Sequence, residues 1–104
     1  MTRDGEVSAV DALKLIDEGA LLLDVREDDE WHEGHAPQAV HLPMSELGAR
    51  AANEIPFDRT IVCVCHLGIR AARVADALNR NGWNAVNLSG GMDAWQAAGL
   101  PVVV

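Results

Sequence analysis

An α/β fold, a parallel sheet covered by helices on both faces, is predicted by three features of the sequence. Strand-like and helix-like segments alternate along the chain. Residues 21–25 and 60–64 are short runs without polar alternation, the pattern of strands buried on both faces. Apolar stripes at i, i+3, i+4 and i+7 occur at Ala9, Ala12, Leu13 and Ile16, and again at Ala71, Val74, Ala75 and Leu78. Such alternation calls for right-handed crossovers and puts ligand sites beyond the carboxyl ends of the strands.

Ser8 and Asp11 read as a capping box, the hydroxyl accepting from an N–H three residues on and the carboxylate reaching back. The helix they open should cover residues 9–18, with Asp11, Lys14 and Asp17 on its wet face and Gly19 as the stop. Residues 21–25 follow as a strand whose end carries Asp24 and Arg26. Residues 27–33 are acid-rich and suit one or two solvated helical turns, with Glu27, Asp28 and Asp29 at the positive end of the helix dipole and Gly34 beyond the end. A strand over 39–42, closed by Pro43, and a helix over 45–52, followed by Ile55 and Pro56, come next. Residues 60–64 are β-branched and apolar throughout, which suits the centre of the sheet, and Cys65 lies at their C-terminal end. The second stripe predicts a helix over 70–81, with Arg73, Asp76 and Arg80 on its wet side and Gly82 after it. Residues 84–88 read as a strand, Ser89-Gly90-Gly91 as a turn, and 92–98 as a helix stopped by Gly99 and Pro101. Residues 102–104 are too short to assign. With no internal repeat, low-complexity stretch or linker, residues 1–104 read as one domain.

Of the 104 residues, 49% are hydrophobic and 23% charged, which excludes disordered, collagen-like and coiled-coil chains. A chain of this size folds without disulfides or a structural metal. The net charge of −8 disfavours nucleic acid and anionic membrane as partners, because both reward a basic surface. The charge is unevenly spread: residues 1–58 carry fourteen acids and four bases, residues 59–104 two acids and four bases. An anionic ligand therefore belongs with the second half. Cys63 and Cys65, one residue apart, would point the same way from a strand and lie roughly 6.6 Å apart, so a disulfide between them would distort it. Two free thiols, no leader pattern in residues 1–10 and no long apolar stretch predict a soluble cytoplasmic protein.

The segment Cys65-His66-Leu67-Gly68-Ile69-Arg70 runs from the central strand into the start of a helix. Free N–H groups and the helix dipole there stabilise a thiolate. Successive N–H groups of His66, Leu67, Gly68 and Ile69 can form a nest for an anion or an anionic sulfur, with Gly68 permitting the curvature. Arg70 then closes the ring with a fork of donors. Cys65 is the candidate nucleophile and Arg70 its anion-binding partner.

With these residues the chain resembles the single-domain rhodaneses (thiosulfate sulfurtransferases). Cys65-x-x-Gly68-x-Arg70 is similar to the active-site loop of that family. Leu22-Leu23-Asp24-Val25-Arg26, Glu30-Trp31 and Gly34-His35-Ala36-Pro37 before Pro43 are similar to its opening segment, and Gly90-Gly91-Met92-Asp93-Ala94-Trp95 with Gly99-Leu100-Pro101-Val102 to its close. The resemblance covers nearly the whole sequence. It implies a three-layer rhodanese-like fold with a central parallel sheet of about five strands. It also implies a sulfur relay: the Cys65 thiolate takes the sulfane sulfur of a small anionic donor such as thiosulfate, becomes a persulfide, and passes the sulfur to cyanide or a thiol, including one on an acceptor protein. No metal or organic cofactor is required.

Two positions depart from the family pattern. His66 stands where a basic residue is common, which weakens the case for thiosulfate as donor. Gln38 stands where a glycine usually follows the proline, which constrains that turn. Asp24 and Arg26 are expected in supporting roles, Arg26 pairing with Glu30 and Asp24 accepting from loop N–H groups. His35 is expected to fix its loop as a hydrogen-bond donor. Cys63, Cys65 and His66 do not match the spacing of zinc ligands, so no metal is predicted and Cys63 reads as core. Trp31, Trp83 and Trp95 lack the basic interleaving of a nucleic-acid face and read as packing or partner-contact residues. Two alternatives remain: a non-catalytic or partner-dependent sulfur-carrier or regulatory module, and a cysteine-based phosphatase or arsenate reductase. The second usually has one more residue between Cys and Arg, as a larger tetrahedral anion requires.

Overall fold

A computed structural model describes residues 5–104; the first four residues of the segment read for a leader lie outside it. Its elements are β1 (Glu6–Val7), α1 (Ala9–Asp17), β2 (Leu21–Asp24), α2 (Asp28–Glu33), β3 (Val40–His41), a 3₁₀ turn (Met44–Glu46), α3 (Leu47–Glu54), β4 (Thr60–Val64), α4 (Ile69–Arg80), β5 (Asn84–Leu88) and α5 (Gly91–Ala97). The strands form one five-stranded sheet in the order β1-β5-β4-β2-β3, parallel at every pairing.

Two apolar layers sandwich the sheet, as the unalternating strands require. Leu21, Leu23, Val25, Ile61, Cys63, Cys65 and Ala85 face the buried side of α3 and α4. Leu22, Val62, Val64 and Leu88 face α1 and α5, where Trp95 is fully buried. The α4 stripe Ala71, Val74, Ala75 and Leu78 is buried as its spacing predicts. At the start of α1, Ser8 Oγ accepts from the Asp11 N–H at 3.1 Å. Trp83 donates its indole N–H to the Ile55 carbonyl at 3.1 Å and stacks on Phe57.

Some features lie beyond the sequence expectations. β1 has only two residues, too few for a periodic signal, and forms by pairing with β5. Residues 102–104 supply a pairing: His35 and Val103 exchange both backbone hydrogen bonds at 2.8 Å, antiparallel. The turn at Gln38 closes with the Ala39 N–H on the Ala36 carbonyl at 3.0 Å, and Gln38 needs no left-handed backbone to make it. Among the described residues no helix is long and apolar enough to cross a membrane.

Candidate active site

β4 is flanked by β2 and β5, so its carboxyl end opens at the middle of the sheet. Cys65 is the first residue past that end and is 1% exposed. The chain then turns through Gly68, whose φ of +108° is a left-handed value that favours glycine. The turn brings the start of α4 back over the sulfur. Cys65 Sγ accepts from the Gly68 N–H at 3.1 Å and from the Ala71 N–H at 3.3 Å. The first backbone bond of α4 runs from the Ala72 N–H to the Gly68 carbonyl, so the Ala71 N–H belongs to the free set at the helix start. Together, the left-handed turn and the free helical N–H groups direct two donors onto one sulfur.

The other side of the loop is held by α5. Met92 donates its N–H to the Cys65 carbonyl at 2.7 Å and Asp93 to the His66 carbonyl at 3.2 Å. Gly91, at φ +58°, packs so closely that a Cβ there would collide with the carbonyl oxygens of Cys65 and His66. Cys63, on the same face of the sheet as Cys65, is wholly buried, and burial, with the neighbouring Cys65 charge second, pushes its thiol up to about 12. Both thiols are free.

Leu67 and Ile69 are 55% and 68% exposed and stand at the rim. With Cys65, His66 and Arg70 they line a depression of about 140 Å³. A neighbouring hollow of about 260 Å³ shares His66 and is lined by Arg26, Glu30, Glu33 and Asp93 among others. A further hollow, about 440 Å³, lies between α4 and the β1–β5 edge and includes none of the loop residues 65–70. His66 is exposed and its Nε2 lies 3.1 Å from an Asp93 carboxylate oxygen.

The arginines are paired differently from the sequence expectation. Arg26 does not pair with Glu30. It lies against Asp24, with Nε 3.0 Å from Oδ1 and Nη2 2.8 Å from Oδ2, and Nη2 also donates to the Gly34 carbonyl at 2.7 Å. Asp24 accepts the Arg26 backbone N–H at 3.0 Å as well, matching its expected role as an acceptor of loop N–H groups. The pair is buried, and the strand end points its carboxylate at the one arginine within two residues. Glu30 instead takes both arms of Arg70, at 2.6 and 2.8 Å. Arg70 therefore stands at the loop with its fork occupied, which 40 residues of sequence separation concealed. The Arg70 hydrogen bonds hold the Glu30 carboxyl below the usual range, and Glu30 in turn raises Arg70.

His35 donates from Nδ1 to the Trp31 carbonyl at 2.8 Å, the loop-fixing role expected of it. Its ring stacks on Trp31 at 3.5 Å, and His41 also stacks on Trp31 at 4.5 Å. The separation of only four residues between Trp31 and His35 could have suggested the first contact; His41 arrives only through β3. Among the described residues no three His, Cys, Asp or Glu side chains gather as a metal-holding group.

Comparison with known proteins agrees with this architecture. A sulfurtransferase of Allochromatium vinosum is 40% identical over 87 residues, spanning 83% of this chain and 80% of its own. The thiosulfate sulfurtransferase GlpE of Actinobacillus pleuropneumoniae is 31% identical over 99 residues, 93% of this chain and 91% of its own. The crystal structure of a rhodanese-related protein from Thermoplasma volcanium superimposes with a TM-score of 0.87 at 31% identity, covering 94% of this chain and 96% of the other. The rhodanese-like domain family matches residues 8–98, spanning the whole sheet except β1 together with the Cys65 loop, and the chain belongs to that family.

Proposed function

We propose that this protein is a sulfurtransferase that carries a sulfane sulfur as a persulfide on Cys65. The observation that supports this most directly is the pair of N–H groups, from Gly68 and Ala71, donating to one sulfur at a helix start. Donors fixed before reaction stabilise negative charge on Sγ and, one bond further out, on a persulfide. In the first step the Cys65 thiolate attacks the sulfane sulfur of the donor; the donor S–S bond breaks and its electron pair leaves with the departing group. In the second, an acceptor thiolate or cyanide attacks the outer sulfur and the pair of the Sγ–S bond returns to Cys65. Neither step needs an external oxidant or reductant. The loop His66 to Ile69 shapes the cradle, Arg70 stands at its mouth, and Asp24, Arg26 and His35 hold the flanking loops. Two free thiols suit a reducing compartment.

Intact mass of the reduced protein after treatment with thiosulfate or cysteine persulfide, for the native chain and Cys65→Ala, tests this reading. A gain of one sulfur atom, absent in the variant and removed by cyanide, is the expected result. The cyanide step separates a persulfide from a sulfinic acid, which weighs about the same and is not reversed. No adduct with either donor would point to a non-catalytic module instead.

A further inference from the structure

We infer that Glu30 sets the donor specificity of this site, so that by occupying Arg70 it makes a thiol persulfide, R–S–SH, the preferred donor over thiosulfate. This rests on the persulfide-carrier reading of Cys65. The basic side chains lining the depression and its neighbouring hollow are Arg26, His66 and Arg70, and each already faces a carboxylate. Arg70 is bound by both oxygens of Glu30, Arg26 by Asp24 and His66 by Asp93. Glu30 is held from its own side too, since it accepts the Glu27 N–H at 3.3 Å where α2 begins. Glu33 adds a further acid to the hollow beside the loop. The approach to Cys65 is thus neutral to negative.

A dianion gains little at such a mouth. To bind thiosulfate, Arg70 would have to release Glu30, leaving that carboxylate beside the incoming charge. A protonated persulfide needs no counter-cation, and its organic group finds the exposed side chains of Leu67 and Ile69 at the rim. Transfer from it balances without another reactant. The Cys65 thiolate bonds to the outer sulfur, the donor S–S bond breaks, and the departing thiolate takes up the persulfide proton to leave as R–SH. Cys65 is left as Cys–S–S⁻. Glu30 acts through Arg70 and is a positioning residue.

The test follows loading of Cys65 by intact mass over graded donor concentrations in the full chain, for the native protein, Glu30→Gln, and Glu54→Gln as a control in the α3 ion pair with Arg50. The donors are thiosulfate, cysteine persulfide and a neutral peptide bearing a cysteine persulfide. Native protein should load from either persulfide at least about tenfold more efficiently than from thiosulfate. Glu30→Gln should shift that ratio about tenfold toward thiosulfate, mainly through half-saturation, while Glu54→Gln leaves it unchanged. Faster loading from the peptide would identify a protein-borne source, and faster loading from free cysteine persulfide a small-molecule one. A native preference for thiosulfate, or an unmoved ratio in Glu30→Gln, would overturn the inference while leaving the carrier reading intact. No loading from any donor would remove both. If Glu30→Gln does not fold, the native chain still decides: salt should raise thiosulfate use and leave persulfide use flat, and an equal response of both overturns the inference.

Discussion

The Met92 N–H donates to the Cys65 carbonyl at 2.7 Å, so the start of α5 sets where the sulfur loop begins. The approach is possible because Gly91 carries no side chain: a Cβ there would lie 2.6 Å from the His66 carbonyl carbon.

Gly91→Ala should therefore lower stability by roughly 3 kcal/mol, through the collision and the left-handed backbone together. A urea midpoint shifted down, with slowed sulfur loading at temperatures where the variant is folded, is the expected outcome. An unchanged midpoint would show that the loop yields without cost.

Asp24→Asn should cost about 3–5 kcal/mol, because it leaves the buried Arg26 guanidinium without its counter-charge. Removing both charges in Asp24→Asn with Arg26→Leu should recover part of the loss in denaturant unfolding. Additive losses would mean that the pair is not coupled.

Cys63 and Cys65 should differ in reactivity although they share one face of the sheet. With its thiol pushed up to about 12 by burial, Cys63 should resist iodoacetamide in the folded protein at pH 8 while Cys65 is alkylated. Comparable modification of both, mapped by peptide mass, would contradict this. Because the folded pKa of Cys63 is raised, its stabilising contribution is complete below the ordinary thiol pKa and is lost as pH rises toward about 12. Stability of the native chain should fall over that alkaline window more steeply than that of Cys63→Ala.

Glu30 gives the opposite sign at acid pH. Its folded pKa is lowered, so its contribution is present above the ordinary glutamate value and is lost as pH falls through the lower folded one. The half-buried pair with Arg70 should be worth about 1 kcal/mol. Below about pH 4.5, unfolding free energy should drop faster with acid for the native chain than for Glu30→Gln. Parallel curves would show that the pair carries no net stability.

The sequence by itself determined most of the elements, β1 excepted, and the position of the nucleophile candidate. β5 matches its predicted span of residues 84–88, β4 its span of 60–64, and α4 starts one residue before the predicted 70 and ends one before the predicted 81. These signals are local: a period of 3.6, an unbroken β-branched run, a glycine where the backbone turns left-handed. Cys65, Gly68 and the helix start lie within a few residues, so their juxtaposition at one sulfur was legible too. Only the tertiary structure decided which charges meet. Arg26 has acids at positions 24 and 30, both within reach by spacing, and the burial of Asp24 at the strand end settles the choice. Arg70 meets Glu30 because α2 and α4 follow the carboxyl ends of neighbouring strands, β2 and β4, a placement that depends on strand order. β1 and the His35–Val103 pairing share that dependence, since a strand of two residues and a single bridge exist only where a partner is already in place.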